Sequence, residues 1–251
     1  MKVSIIVPVL NEAQTLATFL GYLQPLRDMG HEVIVVDGSS HDDSSSIASP
    51  CCDLLVSAGS GRARQMNAGA EQATGDWLLF LHADTRLPEP FSDWLSIIEH
   101  SDAQWGRFNL TLSGQQWLFR IIENCINWRS RLTKIATGDQ ALFIRRQQFS
   151  RIKGFADIPL MEDIEICGRL RRNFSPLCLV MPVVTSSRRW EKGGIVRTIG
   201  LMWSLRWRYF FGADPVQLAK RYHQPSLKPV IPTPHVPSPA AENADKRPGK
   251  A

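Results

Sequence analysis

The feature that most restricts this chain is a series of apolar runs rich in β-branched residues, each closed by polar residues and followed by a helical period. Val3–Val9 (VSIIVPV) is apolar at nearly every position, and Glu32–Asp37 (EVIVVD) is built the same way. A strand with one wet face alternates apolar and polar residues, whereas one apolar throughout is covered on both faces. After the first run, Asn11 reads as a helix N-cap with Gln14 at the capping-box position. Leu16, Phe19, Leu20, Leu23 and Leu26 follow at helical spacing, and Gly30 reads as the stop. After the second run, Gly38-Ser39-Ser40 reads as a tight turn into a short helix. Further strands are expected over 53–57 and 76–82, with a helix over 62–73. This alternation predicts an α/β fold with a mostly parallel central sheet, wound right-handedly and flanked by helices.

The second half is less regular. Residues 105–112 alternate and read as a strand of mixed orientation. Helices are expected over 115–132, 162–172, 195–211 and 215–222, and strands over 140–144 and 177–181. One domain over 1–223 is predicted, followed by a Pro-rich, disordered tail over 224–251. The length of 251 residues, 43 % of them hydrophobic, is ample for a buried core. The net charge is +5, and the tail, with four basic and two acidic residues, contributes +2 of it. The +3 left on the body is too small a surplus to indicate nucleic acid, and none is expected as a partner. Five cysteines without a C-x-x-C pair read as buried, reduced thiols of a cytoplasmic protein. The apolar run at the N-terminus reads as a first strand rather than a signal peptide, and no stretch has the apolar length of a membrane span.

In such sheets ligands bind beyond the carboxyl ends of the strands. The polar residues there are Asn11-Glu12, Asp37-Gly38-Ser39-Ser40 and His82-Ala83-Asp84. No G-x-G-x-x-G follows the first strand, and P-loop, G-x-S-x-G and H-E-x-x-H motifs do not occur. Carboxylates such as Glu12 and Asp37 can accept hydrogen bonds from a base or from ribose hydroxyls. Arg62 and Arg64, beside Gly61 at a helix start, combine guanidinium donors with free backbone N–H groups, as a diphosphate requires. A carboxylate at Asp84 suits a hard divalent cation.

Taken in order, Pro8-Val9-Leu10-Asn11-Glu12, Val36-Asp37-Gly38-Ser39-Ser40, RARQMNAG at 62–69, GDWLLFLHAD at 75–84 and Glu162-Asp163 resemble the family 2 glycosyltransferases of the GT-A fold. The resemblance covers roughly 160 residues and is carried by the ordered series rather than by any one piece. It implies metal-assisted, inverting transfer of a sugar from a nucleotide-diphosphate donor to a hydroxyl acceptor. Pro8, Asn11, Glu12, Asp37, Gly38 and Ser39 would then bind the nucleoside, with Arg62, Arg64 and His82 serving the rest of the nucleotide. Asp84 would hold Mg²⁺ or Mn²⁺; the family usually has Asp-x-Asp here, and this chain replaces the first aspartate with His82. Asp163 would be the general base. Glu162, Arg107, Asp139, Arg188, Arg189 and Trp190 would serve the acceptor or diphosphate. Leu81–Thr85, Gly138–Ala141 and Ser187–Trp190 resemble, more narrowly, a bacterial subgroup linked to arsenosugar biosynthesis; other glycoconjugate or lipid biosynthesis is the broader expectation.

Two rival readings stand beside this one. A nucleotidyltransferase would carry a Gly-rich basic loop after the first strand, where this chain has Pro8–Glu12. A non-catalytic sugar-nucleotide or membrane-binding module would bind without turnover. Within 195–211, Arg197, Ser204 and Arg208 share a narrow polar stripe, while Arg206 falls within the apolar face. That segment either packs on the domain or, as part of 192–222, lies in a membrane interface. The donor base, the sugar and the oligomeric state are not legible.

Overall fold

The computed structural model describes residues 1–223, with the side chains of Arg189, Lys192 and His223 outside that description. The expected disordered tail over 224–251 lies outside the described residues. The first half follows the expected alternation: β1 (Val3–Val9), α1 (Ala13–Asp28), β2 (Glu32–Asp37), α2 (Ser44–Ala48), β3 (Leu54–Ser57), α3 (Arg62–Gln72) and β4 (Trp77–Phe80). Next come β5 (Thr85–Arg86), α4 (Phe91–Glu99), β6 (Trp105–Leu112), α5 (Trp117–Thr133), β7 (Phe143–Arg145) and α6 (Arg146–Arg151). The chain ends with α7 (Glu162–Leu170), β8 (Leu177–Thr185), α8 (Arg188–Gly193), α9 (Ile195–Phe210) and α10 (Pro215–His223).

Among the described residues the strands form one sheet in the order β3-β2-β1-β4-β7-β6-β8-β5. β3, β2, β1 and β4 are parallel, with Val9 opposite Asp37 and Ile6 opposite Phe80. β7 runs antiparallel to both β4 and β6, and β8 runs parallel to β6. The sheet is therefore parallel in its first half and mixed in its second.

Burial explains the apolar runs. Ile5, Val7, Val33 and Val35 point to one face, against Leu16, Leu20 and Leu23 of α1. Ile6, Ile34 and Val36 point to the other, against Ala63, Met66 and Ala70 of α3. Each such side chain, fully withdrawn from water, contributes about 1.5–3 kcal/mol. Gly69 exists for the second of these contacts: a Cβ there would lie 2.6 Å from Ile6 and 2.8 Å from Val36.

Several local expectations need correction. Asn11 is not the cap of α1. It adopts a left-handed φ of 56° and accepts a hydrogen bond from the His41 N–H, and the cap position falls to Glu12, whose side chain makes no capping bond. The N–H groups leading into the helix, those of Asn11, Glu12 and Ala13, donate instead to Ser40 Oγ, Ser44 Oγ and Asp42 Oδ2, from the β2–α2 loop and the start of α2. The strand expected over 140–144 is shortened to β7, because Gly138–Gln140 forms a 3₁₀ turn closed by a Thr137/Gln140 capping box. Of the five cysteines only Cys52 and Cys167 are buried, and Cys125 is exposed.

Candidate active site

Two parallel strand ends, those of β1 and β2, deliver the first group of polar residues to one edge of the sheet. Gly38 N–H donates to the Val9 carbonyl, so the exits of β1 and β2 are tied together. Gln65, buried on α3, reaches the same place: its amide donates to the Val9 carbonyl at 2.8 Å and the Val36 carbonyl at 2.9 Å. Gly38 is small for this reason, since a Cβ would stand 2.7 Å from the Gln65 amide nitrogen. Asp37 is buried, and its carboxylate accepts the Ser40 N–H, holding a turn in which Ser39 takes a φ of 70°. Pro8, Asn11, Glu12, Asp37, Gly38 and Ser39 are thus brought together. Gln65 was not singled out from the sequence, although it stands inside the RARQMNAG segment.

The second group meets where β4 ends. The chain continues past Phe80 to His82, whose Nδ1 lies 3.3 Å from Asp139 Oδ1. The Thr85 N–H donates to the His82 carbonyl, closing a turn on which Asp84 is exposed. The neighbouring Gly138 packs so closely that a Cβ would sit 2.8 Å from the His82 ring. Gly138 N–H donates to Asp163 Oδ2 at 2.9 Å, and the Ile164 N–H donates to Asp163 Oδ1 at 2.7 Å. Asp163 is consequently anchored through both oxygens at the start of α7, where backbone donors and the helix dipole favour an anion. His82, Gly138, Glu162 and Asp163 line one small cavity with Met66 and Phe155.

The electrostatics of the acidic pair follow from this crowding. Burial raises the pKa of Asp163; the Gly138 and Ile164 N–H groups oppose the rise, Asp139 adds to it and Arg62 opposes it. Burial likewise raises Glu162, with the adjacent Asp163 as the second cause and Arg62 and His82 countering. Arg62 therefore stands within electrostatic reach of the pair.

Other expected site residues are placed elsewhere. Arg64 is two residues from Arg62, about 200° around the helix, and pairs with Asp157 at 2.8 Å on the surface. Arg107 is buried, donating to the Phe108 and Asn127 carbonyls and to Asn109, so it braces β6 against α5. Trp190 packs beside Leu110, Leu112 and Phe119, and Arg188 donates to Ser186. The side chain of Arg189 lies outside the described residues. Among the described residues, no group of three or more His, Cys, Asp or Glu side chains converges as a metal cage. Asp84 is thus a single hard oxygen donor at the sheet edge.

The chain is similar to known proteins in sequence and in fold. The Glycosyl transferase family 2 domain matches residues 4–146. A PGL/p-HBAD biosynthesis glycosyltransferase of Mycobacterium bovis is 29 % identical, over 78 % of this chain and 79 % of its own. An undecaprenyl-phosphate 4-deoxy-4-formamido-L-arabinose transferase of Pseudomonas savastanoi is 34 % identical over 34 % of this chain and 29 % of its own. Among solved structures, S. aureus TarS 1-349 superimposes with a TM-score of 0.58 at 18 % identity, over 75 % of this chain and 61 % of that one. This chain therefore spans about three fifths of the TarS fragment. A Pyrobaculum calidifontis mannosyltransferase, solved with GDP-Man and Mn²⁺, gives 0.58 at 20 % identity, over 88 % of this chain and 68 % of that one. With more than half its length matched by the family and its fold shared with such structures, the chain belongs to glycosyl transferase family 2.

Proposed function

We propose that the protein transfers a sugar from a nucleotide-diphosphate donor to a hydroxyl acceptor with inversion at the anomeric carbon. The observation that carries this reading is the anchoring of Asp163 beside Glu162, Asp139, His82 and Arg62, at the sheet edge where Glu12 and Asp37 also end. Glu12 and Asp37 have the acceptor atoms to bind the nucleoside, with Asn11, Gly38 and Ser39 shaping the loop, and Arg62 the charge to meet the diphosphate.

In this reading the acceptor hydroxyl gives its proton to the Asp163 carboxylate as its oxygen attacks the anomeric carbon. The bond from that carbon to the diphosphate breaks, and its electron pair leaves with the phosphate oxygen. A buried carboxylate of raised pKa is a stronger base than an ordinary aspartate, which suits it to this proton. The two backbone N–H groups hold it in place while leaving lone pairs for the acceptor. Asp84 would hold Mg²⁺ or Mn²⁺, its oxygen chemistry suiting either ion and the donor phosphates providing further oxygens. When bound, such an ion offsets the charge that accumulates on the leaving diphosphate. Its use is supported by relatives of the same fold solved with Mn²⁺ or Mg²⁺. A glycoconjugate or lipid acceptor is supported by relatives named for undecaprenyl-phosphate. The narrower arsenosugar role is supported by the motif resemblance around Leu81–Thr85, Gly138–Ala141 and Ser187–Trp190.

Asp163→Asn tests the reading. Sugar transfer should fall by about 10³-fold or more, within the range expected for a lost general base, while the Kd for the nucleoside diphosphate stays within about twofold. Retained turnover removes Asp163 from this role. Donor binding by the unmodified chain without transfer or donor hydrolysis would favour the non-catalytic module.

A further inference from the structure

Helix α9 is used on its inner side and left bare on its outer side. Leu201, Leu205 and Tyr209 pack around Met161 and Ile164, the neighbours of the Glu162-Asp163 pair. Ile195 and Ile199 join Phe119, Ile122 and Ile126 of α5 in a second apolar cluster, so α5 and α9 are neighbours. On the outside, Val196, Trp203, Trp207 and Phe210 are 79, 62, 55 and 80 % exposed. Steps of seven, four and three residues place them on one stripe. Helix α5 repeats the pattern: Trp117, Ile121, Trp128 and Leu132, at steps of four, seven and four, are 70, 50, 70 and 62 % exposed. Isolated apolar residues are ordinary on a protein surface, whereas stripes of tryptophan on two adjoining helices mark a surface that meets something.

The charges around the stripes identify the occupant. Helix α9 has three arginines and no acidic residue: Arg197 and Arg208 flank one side of its stripe and Arg206 the other. Helix α5 has one acid, Glu123, which is buried on the Leu112 N–H and on Arg120. Arg120 also donates to the Leu112 and Gly114 carbonyls, and the terminal nitrogens of Arg129 are buried, so Arg131 is the arginine this helix turns to solvent. The other acids close by are engaged: Glu191 accepts the Ser187 hydroxyl, and Asp214 accepts the Val216 N–H at the start of α10. Aromatic rings backed by arginines whose stems cover apolar ground are complementary to a lipid interface of negative charge. Among the described residues no helix is long and apolar enough to cross a membrane, so this contact lies along the surface.

We propose that α5 and α9 dock the protein onto an anionic lipid bilayer, their tryptophans entering the headgroup region and the exposed Arg131, Arg197 and Arg208 meeting lipid phosphates. Since α9 also packs on the residues flanking Asp163, the docked face adjoins the site. The proposal goes beyond the transfer reaction and stands without it.

The test is co-sedimentation of the full chain with phosphatidylcholine vesicles containing roughly one quarter phosphatidylglycerol. Binding is expected, weakening as salt rises. The double variants Trp203→Ser/Trp207→Ser and Trp117→Ser/Trp128→Ser should each weaken it about tenfold or more. Arg197→Gln/Arg208→Gln should weaken it by about 10- to 30-fold on anionic vesicles and leave pure phosphatidylcholine vesicles unaffected. All these positions are exposed, and unchanged thermal unfolding checks that each variant folds. Donor hydrolysis, measured without vesicles, should be unchanged, so failure of docking and failure of the transferase reading are told apart. No binding to anionic vesicles, or binding indifferent to both tryptophan pairs, would overturn the proposal. So would a dimer in sedimentation equilibrium that the α9 variant abolishes, which would make the stripe a contact between copies.

Discussion

Asp163 is held by forces that disagree, and its pH behaviour follows from their balance. Burial and Asp139 push its pKa up, while two backbone N–H groups and Arg62 pull it down, and the net direction is upward. A general base works only when deprotonated, so kcat should rise with pH through a limb lying above about 3.9, the ordinary aspartate value. Asp139→Asn removes a nearby negative charge and makes ionisation easier. Its limb should therefore move down in a kcat–pH profile taken at saturating donor; an upward move would contradict the assignment. The structure brings together Asp163, Glu162 and His82, which the sequence offers as polar residues at a helix start and past a strand end. The placement of Arg107 was not legible, because a local pattern cannot tell a guanidinium turned inward to backbone carbonyls from one turned to a ligand. Arg64 is set apart from Arg62 for a geometric reason: two positions along a helix separate them by more than half a turn, and Arg64 pairs with Asp157 instead.

Single side chains also decide how the elements hold one another. Gln65 joins the exits of β1 and β2 through two carbonyls at the edge that presents Glu12 and Asp37. Gln65→Met keeps the bulk and removes both donors, and should cost about 1–3 kcal/mol of stability in urea unfolding, with weaker nucleotide binding. Stability lost without any change in nucleotide affinity would make Gln65 a purely structural strut. β1, β2 and β4 were legible because burial on both faces leaves a continuous apolar signature. Helix α4 was overlooked although Phe91, Trp94, Leu95 and Ile98 bury one of its faces at helical spacing. The cap of α1 was misread for a different reason. The N–H groups of Asn11, Glu12 and Ala13 leading into that helix are met by Ser40, Ser44 and Asp42, some thirty residues along the chain, and a local motif cannot record a partner that tertiary structure supplies.

For the molecule as a whole, a ligand that binds only the folded state raises its unfolding temperature by mass action. A nucleoside diphosphate with Mn²⁺ at 100 times its Kd adds about 2.7 kcal/mol, or about 5–10 °C for a domain of this size. Asp84→Asn should abolish the part of that shift that depends on Mn²⁺ and leave the part given by nucleotide alone. An undiminished Mn²⁺ increment in the variant would place the ion elsewhere. The mixed half of the sheet was only partly legible, since β7 spans three residues and takes its direction from β4 and β6 rather than from its own pattern.

That reversal of direction leaves a seam. β4 is bonded to β1 on one side and to β7 on the other, so the strands that end in Glu12 and Asp37, the proposed nucleoside ligands, lie to its left in the sheet order and the mixed strands to its right. On the proposed assignment, substitutions confined to the mixed strands would leave the chain exits that carry Glu12 and Asp37 untouched.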